Sequence, residues 1–283
     1  MMLLFRPKSD TATLGWGDWR AALPLNNLLT ERLSRVARST DLTLASTRFR
    51  VTLSAEETFS ALVLAGMNVT SGYKYRLRTY TDSDFDTVVY DSDWVTPFTG
   101  TSGDPLDLEW EDPNFWLGIL PFDDDERRVN LIHIFDEPTA GQYWSFEIDD
   151  QFNPAGYIDI GRLFMPMAWE PSINYEYGGN GLSFEDHTLR SATLGGSEDK
   201  WRRINPRIFR FGIDYLPETE AYQRAYPMMR VAGFNGEVFV IPEKADAVFM
   251  QQRAFLGNIS QMDPISQTAF QLAGTGFEIK EIV

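Results

Sequence analysis

Short runs in which apolar and polar side chains alternate restrict the fold of this chain more than any other feature. In TRFRVTL, Thr47 to Leu53, residues Phe49, Val51 and Leu53 alternate with Arg48, Arg50 and Thr52, the period of a strand with one buried face. SALVLAG, Ser60 to Gly66, is nearly continuous in apolar residues, as in a strand covered on both sides. YKYRLRTY, Tyr73 to Tyr80, alternates again, and TVVYDSDWV, Thr87 to Val95, supplies its partner after an Asp-rich turn. NLIHIF (Asn130 to Phe135), QYWSFEID (Gln142 to Asp149) and YIDIGRLFM (Tyr157 to Met165) continue the series, the last two joined by turn-prone QFNPAG. Antiparallel strands at this spacing predict a mainly β sandwich.

Other segments set the expected boundaries. In Asn26 to Ser39, residues Leu28, Leu29, Leu33 and Val36 fall at helical spacing with Asn27 or Thr30 as caps, while Leu23-Pro24 favours extended backbone, so residues 1–39 are read as an N-terminal arm or helix. Residues 40–175 form the sandwich, with a long loop from Gly100 to Asn114. The Gly-rich stretch 176–200 reads as a linker. Residues 201–283 then form a second β-sandwich with one helix: a strand over Arg202 to Leu216, a helix opened by Pro217 and divided by Pro227, and strands in GEVFVIP, RAFLGNIS, TAFQLAG and GFEIKEIV.

Composition removes several function classes. With 25 Lys+Arg against 41 Asp+Glu the net charge is −16, which disfavours a nucleic-acid groove and an anionic membrane surface. Without cysteine there is no disulfide, thiolate nucleophile, Fe–S cluster or Cys-based zinc site. No window supplies the roughly 20 apolar residues of a membrane span, and MMLLFRPKSD lacks the order of a signal peptide, so a cytoplasmic start is expected. The two histidines, His133 and His187, are read as structural; GxSxG, HExxH and phosphate-loop motifs are absent. No catalytic residue, metal ligand or cofactor is therefore assigned.

Two weaker signals remain. Asp82, Asp84, Asp86 and Asp93 follow calcium-loop spacing, but Thr87 stands where that loop needs Gly, so a solvated turn is expected. The acid runs Asp123–Glu126 and Glu147, Asp149, Asp150 read as hydrated surface, and the Asn68-Val69-Thr70 sequon is given no weight. Glycoside hydrolysis needs only two carboxylates, for which Glu109 and Glu111 are the acids to replace. Of eight tryptophans, which as a class belong mostly to cores, Trp110 and Trp116 in the long acidic loop are the candidate glycan contacts.

Several strings together carry a resemblance: ALVLAGMNVTSGYKYRLRTYTDSDFDTVVYDSDWV, YWSFEIDDQFNPAGYIDIGRLFM and AWEPSINYEYG. They resemble tail-tip and baseplate structural proteins, of distal-tail type, from long-tailed bacteriophages. The resemblance implies a galactose-binding-like jelly roll in the first half. In the second half FRFGIDYLPETEAY, GEVFVIP, FLGNIS and FEIKEI resemble the tail-tube sandwich with one helix. The order departs from well-known distal tail proteins, where the ring-forming domain comes first. The implied function is a non-enzymatic virion protein, made in the host cytoplasm, that forms or braces a symmetric ring around the tail axis. Its implied partners are copies of itself and tube, hub and fibre proteins, with no nucleic-acid binding and no membrane insertion. Arms such as Met1 to Ser39 would be ordered by neighbours. The alternative is a carbohydrate- or receptor-binding module of the tail, and a glycoside hydrolase comes third.

Overall fold

The computed structural model describes residues 1–70, 72–97, 101–102, 119–120, 129–192, 195, 197–234, 236–246 and 248–283. The chain is mainly β and divides into two compact units. The first comprises Pro7–Ala168 with Lys244–Gln252; the second comprises Met1–Arg6, Trp169–Glu243 and Arg253–Val283.

The first unit is built on two long antiparallel strands, Phe49–Met67 and Val129–Asp149. Their register shifts three times, between Thr52 and Glu57, Phe59 and Ala61, and Leu64 and Met67. Each shift inserts residues into one strand and bends it, the usual means by which one strand serves two layers. The exposed stretch Ser54 to Glu56 marks one bend. On one side of it Phe49, Val51 and Leu53 are buried in alternation, as the sequence predicts. On the other side Ala61 to Met67 is buried throughout, again as predicted for a strand covered on both faces. Lys74–Tyr80 pairs with the later part of Val129–Asp149, Val88–Asp91 extends that edge, and Thr13–Gly15 and Arg162–Phe164 flank Phe49–Met67.

Aromatic packing joins the two halves of the bent pair. Trp144, opposite Val51, lies 5.9 Å from Phe135 and 5.8 Å from Phe59, centroid to centroid, and its indole N–H donates to the Gly141 carbonyl. Phe49 stacks on Phe146 at 4.8 Å. Fully burying such rings contributes several kcal/mol each, so this cluster holds the layers together.

Residues 7–39 depart from expectation. In place of a helix over Asn26 to Ser39 there is a 3-10 turn at Leu25–Leu29 and a two-residue strand Ala37–Arg38 paired with Asp159–Ile160. This segment is not a separate arm. Leu25, Leu28 and Ala37 belong to the core of the first unit, and two ion pairs, each with one nearly or fully buried member, fix it. Arg38 forms a fork to Asp159 at 2.7 and 2.9 Å, and fully buried Arg162 reaches Asp10 at 2.6 Å and the Leu28 carbonyl at 3.2 Å. Helical spacing lost because leucines buried individually by tertiary contacts need no continuous helical stripe.

The second unit is organised around a sheet in which Met167–Trp169, Met2–Phe5, Glu237–Ile241, Phe255–Met262, Leu272–Glu281, Arg207–Pro217 and Gly181–Phe184 lie side by side, with Ser266–Ala269 beside Leu272–Glu281. The strand expected over Arg202 to Leu216 begins five residues later. The expected helix occupies 218–232, and the five-residue π turn Ala221–Ala225 comes just before Pro227. Pro227 cannot donate a backbone N–H, so the helix widens there and continues unbroken. A short second helix, Met250–Arg253, most of which belongs to the first unit, lies outside the expectation of a single helix. TAFQLAG is two strand ends around a turn at Phe270 and Gln271, the latter with φ +61°, and not one strand. The expected linker 176–200 contains strand Gly181–Phe184 and a hairpin of Leu189–Ala192 with Glu198–Trp201. Gly100 to Asn114 lies, except for Thr101 and Ser102, outside the described residues.

Replacing Arg38 by Met leaves the carboxylate of Asp159, nearly inaccessible, without its counter-charge. Arg38→Met is expected to destabilise the first unit by about 2–3 kcal/mol, less than a fully buried pair because Arg38 is partly exposed. Urea titration of both proteins measures the loss, and an unchanged midpoint would contradict the assigned role.

Candidate functional site

The alternation that buries Phe49 and Val51 places Arg48 and Arg50 on the opposite face of the strand. Thr13–Gly15 pairs with this strand at Arg50, Val51 and Thr52, which brings the next residue, Trp16, over the arginines. The guanidinium carbon of Arg48 lies 3.8 Å from the Trp16 ring centroid and that of Arg50 lies 4.3 Å from it. Arg50 also lies 4.2 Å from the centroid of Phe85. Arg48, Trp16, Arg50 and Phe85 thus form one chain of cation–aromatic contacts, each worth about 0.5–1 kcal/mol where partly exposed. Beside it is a shallow, open groove of about 300 Å³ lined by Thr13, Gly15, Trp16, Arg50, Thr52 and Phe85.

Backbone geometry fixes both rings. Trp16 has φ +75° and Gly17 φ +74°; a Cβ at Gly17 would meet the Arg48 carbonyl oxygen at 2.0 Å, so only glycine fits. Beyond it, Asp18 N–H donates to the Ser46 carbonyl at 3.1 Å and the Trp19 indole N–H donates to the Arg48 carbonyl at 3.2 Å. Phe85 sits at φ +65° in the turn 82–87, where the Asp82 carboxylate accepts backbone N–H bonds from Asp86 at 3.0 Å and Thr87 at 3.1 Å. These bonds, that of Asp86 first, hold the Asp82 carboxyl below the usual carboxylate range. The acidic cluster expected as a solvated turn therefore orders its own loop.

His133 faces the core, opposite Ile132 and Ile134. Its Nδ1 lies 2.9 Å from the Tyr75 hydroxyl and its Nε2 2.9 Å from the Tyr90 hydroxyl. A neutral imidazole suits this site, because one ring nitrogen donates and the other accepts. Burial pushes the imidazole down to about 4, against a smaller opposing effect of Asp136, and burial raises both phenols. With both ring nitrogens occupied, His133 is no general base poised beside a serine. His187 is half-buried in the second unit, 3.3 Å from Glu185, which also pairs with Lys280 at 2.5 Å.

Other sequence candidates are accounted for residue by residue. Trp110, Trp116, Glu109, Glu111 and Asp123–Glu126 lie outside the described residues. Glu147 pairs with Arg78 at 2.8 Å, and Asp150 accepts from the Thr70 hydroxyl at 2.6 Å and from Asn153 at 3.0 Å. Asn68 uses its amide internally, donating to the Tyr157 carbonyl and accepting from Asp159 N–H. Among the described residues no group of three or more His, Asp or Glu side chains is arranged to hold a metal ion. Trp16 is the residue that sequence reasoning passed over. The signal was present in WGDW, where Gly17 permits a left-handed turn, combined with the two arginines on the outer face of TRFRVTL.

No protein-family model and no curated protein matches the sequence. The structure is similar to carbohydrate-binding modules. One is the family 32 module of Clostridium perfringens NanJ in complex with galactose, at 12% identity and a TM-score of 0.36 over 57% of this chain and 96% of that one. A second is module CBM32-1 of a family 31 glycoside hydrolase from Clostridium perfringens, at 13% identity and a TM-score of 0.37 over 58% and 99%. A third is the family 32 module of Streptococcus pneumoniae EndoD, at 13% identity and a TM-score of 0.35 over 56% and 98%.

Because His133 is neutral when folded and titrates near 6.5 when unfolded, the folded state binds fewer protons below pH 6.5. Its contribution is fully present above pH 6.5 and is lost toward pH 4, at up to about 1.4 kcal/mol per pH unit. His133→Gln is expected to be less stable than the parent at pH 7, with the gap closing toward pH 4.5. Denaturant titrations across this range test it, and a constant gap would contradict the buried neutral imidazole.

Proposed function

We propose that this chain is a non-catalytic carbohydrate-binding protein whose saccharide lies in the groove beside Trp16 and Phe85. The observation that carries the reading is the Arg48–Trp16–Arg50–Phe85 array, with rings fixed by the backbone and guanidinium donors left over at an open groove. Sugars present apolar C–H faces and a rim of hydroxyls. An aromatic ring takes the first and arginine N–H groups take the second. A groove of this volume accommodates one or two sugar rings, and its openness suits a chain end or a branch. Trp16→Ala is expected to weaken saccharide binding at least about tenfold on a glycan array, the loss of a central aromatic contact, while leaving the core intact. Unchanged binding by Trp16→Ala would remove the groove from the account.

A second reading, the tail-ring protein of the sequence resemblance, is favoured by a different observation in the second unit. Every residue of Leu189–Ala192 and Glu198–Trp201 is exposed, Leu189 pairs with Trp201, and Leu182 and Phe184 are exposed on strand Gly181–Phe184, which precedes the hairpin in sequence. A two-stranded hairpin is marginal alone, and exposed apolar side chains of this kind suit a surface covered by another subunit. In this reading the protein acts in the virion tail, and sugar binding and ring assembly belong to different units of one chain. Light scattering over a wide concentration range is expected to show a discrete oligomer that Trp201→Asp dissociates. A monomer at every concentration would count against assembly in the absence of other tail proteins.

A further inference from the structure

The proposed saccharide groove has a charge as well as a shape. Four partly or fully buried arginines in the same unit, Arg38, Arg76, Arg78 and Arg162, each reach a carboxylate. Arg48 and Arg50 do not: neither forms an ion pair with any described residue, and the Nε of each is buried without a hydrogen-bond partner. This occurs in a chain with 41 acidic residues. An aromatic ring attracts a guanidinium through its face but accepts none of its five N–H donors. Two cations share the Trp16 indole with no anion between them, an arrangement whose mutual repulsion an anionic ligand would relieve.

Resting on the saccharide reading, we infer that the groove selects acidic sugars, those bearing a carboxylate or sulfate, held by Arg48 and Arg50 while the sugar ring packs on Trp16. The planar fork of a guanidinium matches either anion with two parallel N–H bonds, which a neutral hydroxyl cannot supply. The overall charge of −16 does not prevent this. Charges farther than about 8–10 Å are screened at physiological salt, so the two local cations dominate at contact distance.

The test is an array of immobilised oligosaccharides in which each neutral glycan is matched by its uronate, sialylated or sulfated counterpart. The acidic members are expected to bind at least about tenfold more strongly than their neutral partners. Raising salt from about 0.05 M to about 0.5 M should erase most of that preference in the unmodified protein, a readout independent of any variant. Arg48→Gln with Arg50→Gln should abolish the preference, and Arg50→Lys should keep part of it because the charge remains. Equal binding to matched pairs, or a preference that survives high salt, would overturn the acidic selectivity and leave the saccharide reading in place. Binding to no glycan on the array would overturn both.

Discussion

The bent pairing of Phe49–Met67 with Val129–Asp149 is the constraint on which the first unit depends. Because the pair bends at shifts in register, its two halves meet across one core, and Trp144 touches side chains from both. His133 adds a polar crosspiece in that core, satisfied at both nitrogens by tyrosine hydroxyls. The same pleat that turns Phe49, Val51 and Leu53 inward turns Arg48 and Arg50 outward. The core and the candidate site are thus two faces of one short strand. A slip of one residue would exchange them, which the stacked pair of Phe49 and Phe146 opposes.

Arginine serves two opposite purposes here. Arg38 and Arg162 are paired and hold residues 7–39 to the unit, and their carboxylate partners make them structural. Arg48 and Arg50 are supported by aromatic rings and form no ion pair with any described residue. The difference lies in partners and not in residue type, and it separates a residue that stabilises the fold from one prepared for a ligand.

Much of the first unit was legible because period-two alternation is a local property. Thr47 to Leu53 and the buried run after Ser60 read correctly, and so did the turn at Asp82; that His133 faces the core emerges only from the structure. The misreadings have a common physical origin in long-range contacts. Leu28 and Val36 suggested a helix, yet both are buried without one, Leu28 in the core of the first unit beside strand Arg162–Phe164. The Gly-rich stretch after residue 176 suggested a linker, yet Gly181–Phe184 finds a partner in Arg207–Pro217. Trp16 was invisible as a site residue for the same reason. Its meaning comes from Arg48, Arg50 and Phe85, which lie more than thirty positions away in sequence and reach it only through strand pairing.

The central claim is that a saccharide occupies the groove formed by Trp16, Arg50 and Phe85, and hydrogen exchange read residue by residue with and without bound saccharide tests it most directly. Bound sugar should slow exchange at Gly15, Trp16 and Phe85, which line the groove, and leave the second unit unchanged. Protection confined to another surface, with these amides unaffected, would contradict the account.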